Sequence, residues 1–370
     1  MGQATRWRNQ LSTYSQGIRG LPCELTGLPR APPAIATQHI APTCVSWIAR
    51  FQILASDLEK LTPRQRNVLA DRLREIGPIQ AVNTWVESRA VAKPTCPCCG
   101  HEHISRWGTA SGLQRYRCGA CKATFNALTG TPLARLRHKD QWLEYTRQMA
   151  EGQSVRKSAK ACEVHRNTAF RWRHRFLALP NEQKAVSLAG IAEADETFFL
   201  ESLKGKKRGM PRAPRKRGGK ASKRGLSDEQ IPVLICRDRT GSTADFVLVK
   251  ADKEHIGAAL KPILAKNAIL CTDSGKALGA AAREIGIAHR PVNLAAGVRV
   301  IAGVYHVQNV NAYDSRLKEW MRRFHGVATH YLANYLGWRR LIERTHDSLS
   351  PSAVLLAALG MNPVQQLTVT

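Results

Sequence analysis

The sequence is short of acidic residues. Among its 370 residues, 28 Asp and Glu stand against 56 Lys and Arg, which leaves a formal net charge of +28 and a pI near 10.3. A charge so far from zero exceeds what solubility needs and indicates a polyanionic partner, with nucleic acid ahead of a membrane surface. The hydrophobic fraction of 43% still allows two or three compact units, each with a core.

Long apolar runs are missing as well. A membrane span needs about 18 or more apolar residues, and the longest runs here are short stretches such as Ala353–Leu359. The first residues, MGQATRWRNQ, are polar and lack the apolar stretch of a signal peptide. We therefore expect no membrane association and a location in the cytosol, where thiols stay reduced.

The phosphate-binding loop of nucleotide hydrolases is also absent. The letters SGKA follow the strand-like run AILCTD, but the pattern GxxxxGK[ST] fails at both ends. Leu270 stands where the first Gly is required, and Ala277 stands where Ser or Thr is required. A hydrolase of that class is excluded.

Four of the ten cysteines form two CxxC pairs with eighteen residues between them: Cys96, Cys99, Cys118 and Cys121. This spacing is typical of a four-cysteine zinc ribbon, in which four thiolates complete the tetrahedron of one structural Zn²⁺. Three neighbours leave a ligand exchange open: Cys98, His101 and His103. Small ribbons bind DNA, RNA or protein, so zinc by itself does not identify the partner.

Two helical patterns flank this unit. Residues 62–76 predict an amphipathic helix that begins with Thr62 and Pro63. Ser154–Cys162 and Thr168–Leu177 predict a helix-turn-helix, with Asn167 or Thr168 capping the second helix. That second helix carries Trp172 and Phe176 for its core face, and four candidate DNA contacts: Arg166, Arg171, Arg173 and Arg175. A basic surface helix of an unrelated bundle is the alternative.

From Gly190 the sequence changes to strand-like runs, three in succession and then alternating with helical segments. This order predicts an α/β fold with a sheet of mixed direction. Asp195 lies inside the first run, among apolar neighbours, and Asp273 ends a later one. A buried carboxylate needs a metal or a cation, and sites collect at the carboxyl edge of such sheets. Asn311 and Lys318 follow on one face of a predicted helix.

These motifs together resemble a known family. The order CPCC, CGAC, TGTP, helix-turn-helix, EADET, CTD and HVQNVNAYDSRLK is similar to the zinc-ribbon DDE transposases of bacterial insertion sequences, of the ISXO2-like type. The resemblance covers roughly residues 92–345. It implies a ribonuclease-H-like catalytic domain preceded by the ribbon and the helix-turn-helix. The predicted division is 1–90 (N-terminal region), 92–135 (ribbon), 139–180 (helix-turn-helix), 188–345 (catalytic domain) and 346–370 (C-terminal tail).

The resemblance also implies the chemistry. Asp195 and Asp273 would be the two catalytic aspartates, holding two Mg²⁺ or Mn²⁺ ions about 3.5–4 Å apart. Asn311 would take the place of the commoner third acid, with Lys318 seven residues on contacting a phosphate. Asp314 is the rival third ligand. Such an enzyme cuts and joins double-stranded DNA at the element ends and the target, as a homo-oligomer in the bacterial cytoplasm and nucleoid.

Residues 204–224 contain 11 Lys or Arg and predict a DNA-backbone clamp inserted in the catalytic domain. Its candidate contacts are Lys206, Lys207, Arg208, Lys216 and Arg217. Two other functions remain open: a catalytically inactive DNA-binding regulator derived from a transposase, and a structure-selective nuclease of the same fold. The asparagine at position 311 is the main support for the regulator.

Overall fold

The computed structural model describes residue 57, residues 60–88, residues 95–345 except 207, 214, 216–218 and 224–226, and residues 349–361. Within these residues no helix is long and apolar enough to cross a membrane. Most of the predicted N-terminal region and the end of the predicted tail lie outside the described residues.

The first long helix, α1, spans Pro63–Ser88. Its start is the predicted one: the Thr62 hydroxyl accepts from the Gln65 backbone N–H at 3.3 Å, and the Gln65 side chain accepts from the Thr62 N–H at 2.9 Å. This reciprocal pair satisfies two backbone donors that a helix start leaves free. The helix runs past the predicted stop near residue 76. Val82 and Val86, four residues apart, are fully buried on one face.

The cysteine unit is a small antiparallel sheet. It contains β1 (Ile104–Ala110), β2 (Leu113–Cys118) and β3 (Thr124–Phe125). The β1–β2 turn brings Gly112 against α1. The approach is so close that a Cβ on this glycine would lie 2.5 Å from the Asn83 side chain. The predicted ribbon is confirmed, and it is fastened to α1.

Four short helices follow: α2 (Trp142–Ala150), α3 (Val155–Ala161), α4 (Arg166–Phe176) and α5 (Ala178–Glu182). The predicted cap of the second helix is wrong: α4 is capped by the ring of His165, which accepts from the Asn167 N–H. At the start of α3, Ser154 accepts from the Lys157 N–H. Neither Asn167 nor Thr168 is the cap, because α4 begins one or two residues earlier than predicted.

The second sheet has five strands: β4 (Ile191–Leu200), β5 (Gln230–Asp238), β6 (Thr243–Val247), β7 (Ile269–Asp273) and β8 (Ala288–Val292). Their order is β6-β5-β4-β7-β8; β4, β7 and β8 are parallel, and β5 runs antiparallel to both neighbours. This is the mixed sheet of a ribonuclease-H-like fold, as predicted. Its helices are α6 (Lys253–Leu260), α7 (Lys276–Ile285) and α8 (Gln308–Arg322).

Two more helices complete the fold, α9 (Leu332–Arg344) and α10 (Pro351–Ala358). Helix α10 falls in the segment predicted as a tail, yet Ala353–Ala358 are all buried and belong to the hydrophobic core. The helix packs against α2, α5 and α4. This part of the tail prediction is therefore wrong: an apolar run too short to cross a membrane is instead long enough to close a core.

One core joins the helix-turn-helix to the sheet. Its buried side chains come from α2 and α4, such as Trp142 and Trp172, and from α8 and α9, such as Tyr313 and Trp338. A buried ion pair between Arg340 and Asp245 lies within the same junction. Arg340 also donates to the Asn181 carbonyl of α5 at 2.7 Å. A boundary between residues 180 and 188 therefore separates no independent core.

Candidate active site

The two predicted aspartates lie side by side. Strands β4 and β7 are parallel neighbours in which Ala194 pairs with Thr272, so the next residue on each strand is Asp195 and Asp273. Asp273 is the last residue of β7, at the carboxyl edge where α/β sheets collect functional groups, and Asp195 lies beside it in the middle of β4. The side chain of Glu196 joins them: one oxygen from each carboxylate lies within 4.8 Å of the others.

Burial and neighbouring negative charge raise the pKa of Asp195 and of Glu196. Burial, and then the charge of Asp273, raise the pKa of Asp195 to about 6. Burial, and then the charges of Asp195 and Asp273, raise the pKa of Glu196 to about 7. Like charges held together in a half-buried place are costly unless a cation balances them. Carboxylate oxygens are the ligands that hard divalent cations prefer.

A glycine shapes the second half of this cluster. The Gly275 N–H donates to Asp273 Oδ1 at 3.0 Å, and a Cβ at position 275 would lie 2.8 Å from that same oxygen. A side chain there would have to displace the carboxylate. Gly275, in the SGK sequence after β7, therefore helps to orient the Asp273 carboxylate.

Helix α8 carries the other predicted site residues. Asn311 is half-buried, and Lys318 is exposed and pairs with Asp314, Nζ to Oδ2 at 2.7 Å. The charges of Asp314 and Lys318 both act on the pKa of Asp195, the carboxylate raising it and the ammonium lowering it. The second oxygen of Asp314 is buried and has no hydrogen-bond partner among the described residues. A buried oxygen of this kind beside an acidic cluster keeps Asp314 in competition with Asn311.

A buried carboxylate that the motif analysis overlooked fixes the start of α8. Glu193 accepts from the backbone N–H groups of Asn309 and Val310 at 2.8 and 2.9 Å. Its other oxygen lies 2.7 Å from Arg239 Nη1 and 3.3 Å from His306 Nδ1. Glu193 therefore ties the helix of Asn311 to the strand of Asp195. Its position two residues before Asp195, on the same face of the strand, was the only sign of this in the sequence.

The predicted ribbon ligands converge at a second site. The Sγ atoms of Cys96 and Cys121 are 3.5 Å apart, and those of Cys99 and Cys118 are 3.6 Å apart. A Zn–S bond of about 2.3 Å gives sulfur–sulfur edges of about 3.8 Å in a tetrahedron, so the four thiols fit such an ion. The cluster does not include Cys98, His101 or His103. Among the described residues, the alternative ligand sets find no support.

Three of the four arginines predicted to contact DNA from α4 are exposed, and one is buried. Arg166, Arg171 and Arg175 are exposed. Arg173 is fully buried, with its guanidinium 4.7 Å from the Trp338 ring and its Nη2 donating to the Gln153 carbonyl at 2.9 Å. The prediction that Arg173 contacts DNA is therefore wrong. Charge alone could not show which face of α4 is covered by α9.

The basic insertion is anchored in part. Lys206 and Arg208 are exposed, whereas Lys207, Lys216 and Arg217 lie outside the described residues. Arg212 pairs with Glu201, Nε to Oε2 at 3.1 Å, and Arg215 pairs with Glu229, Nη2 to Oε1 at 3.0 Å. These two cations hold the base of the insertion to the ends of β4 and β5, so part of its charge is structural.

Comparison with known proteins agrees with the motifs. Residues 187–339 match the family model of the ISXO2-like transposase domain. A curated relative, "Uncharacterized protein in transposable element ISH50" of Halobacterium salinarum, is 26% identical over 245 residues, which span 65% of this chain and 82% of the relative.

Two solved structures of Mos1 transposase show weaker likeness. "Crystal structure of a pre-cleavage Mos1 transpososome" has a TM-score of 0.25 at 10% identity and covers 61% of this chain and 76% of its own. The Mos1 paired-end complex with the left transposon end has a TM-score of 0.19 at 14% identity, with coverages of 58% and 80%. Scores this low add nothing to the topology described above.

The mixed sheet, the acidic cluster on its central strands and the four-cysteine cluster are the features that the resemblance to DDE transposases implies. Residues 187–339 are similar to the ISXO2-like transposase domain. The resemblance given by the motifs is confirmed.

Proposed function

We propose that this protein is an insertion-sequence transposase that binds the terminal inverted repeats of its element and catalyses metal-dependent DNA strand cleavage and strand transfer. The observation that carries the proposal is the cluster of Asp195, Glu196 and Asp273 on adjacent strands, with oxygens within 4.8 Å. A DNA-binding regulator without chemistry would have no use for carboxylates held together against their own repulsion.

The cluster suits divalent metal ions, and Mg²⁺ or Mn²⁺ would be held by Asp195 and Asp273 with Asn311 as third ligand. When bound, such ions activate a water or a 3′-hydroxyl and stabilise the leaving oxygen. With Asn311 neutral, the two aspartates supply −2 where a three-acid site supplies −3. The chain's own contribution is to hold two carboxylates at one sheet edge and to aim Lys318 at a phosphate. The four-cysteine site would hold one structural Zn²⁺.

DNA recognition is assigned to the ribbon, to α4 and to the insertion. Arg166, Arg171 and Arg175 are exposed on α4, as a recognition helix entering the major groove requires. The exposed lysines and arginines of residues 204–224 would contact backbone phosphates without reading sequence. Joining two element ends needs at least two active sites, so the active form is a homo-oligomer on DNA.

The test is cleavage and joining of DNA that carries the element's ends, with Mg²⁺ or Mn²⁺. We expect end cleavage and strand joining by the wild type and neither by Asp195→Ala or Asp273→Ala, with both variants still binding the ends. A wild type that binds the ends and never cuts them would identify the regulator instead. Cutting of branched DNA regardless of sequence would identify a structure-selective nuclease.

The third ligand is decided by a matched pair on α8. Asn311→Ala should lower cleavage sharply, and Asp314→Ala should lower it little, because the spacing to Lys318 selects Asn311. Calorimetric binding of Mn²⁺ to the two variants gives a readout independent of cleavage. Equal losses would move the assignment, and the free buried oxygen of Asp314 would then be the reason.

A further inference from the structure

A wide groove of about 980 Å³ lies between the helix-turn-helix and the segment after α8. One wall is formed by the start of α3 and by α4, the other by residues 324–331, and the basic insertion begins at its rim with Lys204 and Gly205. Lys204 is held there, because its Nζ donates to the Gly326 carbonyl at 2.9 Å. The groove is therefore framed by both elements assigned to DNA binding.

The charge in the groove is of one sign. Its lining contains no Asp or Glu, whereas Arg156, Arg166 and Lys204 are all exposed along it. None of the three forms an ion pair with another described residue. Cations left unpaired around a concave surface favour an anionic occupant, and they disfavour an apolar peptide, which would leave them buried without a partner.

The floor of the groove is aromatic. Phe170 is 39% exposed, and its ring meets the Tyr331 ring edge-on with centroids 5.3 Å apart. The Tyr331 ring is stacked on His174, with centroids 3.5 Å apart and the planes 13° apart. We call Phe170, His174 and Tyr331 the aromatic platform. Aromatic surface beside unpaired cations is the combination that binds single-stranded nucleic acid, because every base offers a π face for stacking.

We propose that the groove holds unpaired nucleotides of a DNA strand, with a base against the aromatic platform and phosphates beside Arg156 and Lys204. This rests on the proposed function, since a transposase handles strands that are opened near the cut. Duplex DNA presents only base edges in its grooves, whereas an exposed ring face needs a base that has left the stack.

Two elements lead from the acidic cluster to the groove. From Asp195 to the end of β4 at Leu200 the strand rises about 17 Å, and α8 rises about 17 Å from Asn311 to Arg322. Lys204 and Phe324, both in the groove lining, follow these ends closely.

The first experiment uses the full chain without added divalent metal and two probes, a fluorescent twelve-nucleotide oligo-dT and a duplex of twelve base pairs. Phe170→Ala should weaken oligo-dT binding about 5- to 150-fold and duplex binding less than about twofold. Phe170→Trp, which keeps a π face, should retain oligo-dT binding. Phe170→Leu, which keeps apolar bulk alone, should lose it. Retention by Phe170→Leu, or equal losses for both probes, would overturn the proposal.

The second experiment needs no variant to fold. Oligo-dT with one 5-bromodeoxyuridine is irradiated with wild-type protein, and the crosslinked peptide is identified by mass spectrometry. A crosslink to the peptide of Phe170 or of Tyr331 is expected; crosslinks confined to other peptides would overturn the proposal. So would sedimentation showing that Phe170→Ala dissociates an oligomer while oligo-dT binding is unchanged, because the groove would then hold a second copy. End cleavage is scored separately, so the two proposals fail independently.

Discussion

Replacing Glu193 by Gln tests how the site is held together. The carboxylate accepts from the N–H groups of Asn309 and Val310 and pairs with Arg239, and its side chain is 1% exposed. The Gln amide oxygen can still accept from the two N–H groups at the start of α8. Each of these hydrogen bonds then contributes roughly 1 kcal/mol to stability instead of roughly 2, because the acceptor is no longer charged. The substitution also breaks the ion pair with Arg239. Breaking a buried ion pair costs about 3–5 kcal/mol of stability, and we take the lower end of that range because Arg239 is 28% exposed.

We therefore expect Glu193→Gln to lower the free energy of unfolding by about 5 kcal/mol. At about 2 °C per kcal/mol for a large unit, the melting temperature should fall by about 10 °C. Well below that temperature the variant is folded, and it should bind element ends like the wild type. Its cleavage rate should fall up to about 100-fold, because a shift of about 1 Å in a catalytic group costs that much.

Asp252→Ala is the matched control. Asp252 caps α6 by accepting from the His255 N–H at 2.9 Å, and α6 does not carry a proposed ligand. Loss of this cap should cost about 1 kcal/mol and leave cleavage unchanged. If Glu193→Gln melts lower but cleaves normally, Glu193 is only structural. If its melting temperature is unchanged, the contacts at the start of α8 contribute less than we infer.

Four further results are expected. Gly275→Ala should lower Mn²⁺ affinity and cleavage at least tenfold with little change in melting temperature, since its Cβ would displace the Asp273 carboxylate; unchanged calorimetric affinity would contradict this. Chelation of Zn²⁺, or Cys118→Ser, should unfold the ribbon, as circular dichroism and limited proteolysis would show. Burial lowers the pKa of His174 to about 4, so the unfolded chain binds more protons and stability falls as pH drops from about 6.5 toward 4. Allowing for solvent screening, about 1 kcal/mol should be lost between pH 7 and 5, and His174→Gln should abolish that part of the slope. Deleting residues 204–224 should reduce the slope of log affinity against log salt by roughly 0.9 for each phosphate that the protein no longer neutralises, while preference for terminal repeats survives; an unchanged slope would refute the clamp.

The sequence by itself determined the local features. The CxxC pairs specified a four-thiol site, since two knuckles of fixed geometry need only meet. The strand-like runs, three in succession and then alternating with helical segments, predicted the order of elements in the five-stranded sheet. The strand positions of Asp195 and Asp273 identified both as candidates, and the parallel pairing of β4 with β7 brings them together. The spacing of residues within one segment can be read from the sequence of that segment alone.

Only the tertiary structure decided what depends on two distant segments. Arg173 has the same charge as Arg171 and Arg175, but α9 covers its face of α4 and removes it from DNA. Glu193 is one more acid in a strand until α8 docks on it. The groove beside Phe170 is lined by α4 and by the segment after α8, which are far apart in the sequence. Burial and partners across the core are set by packing between elements, and no pattern within one element encodes them.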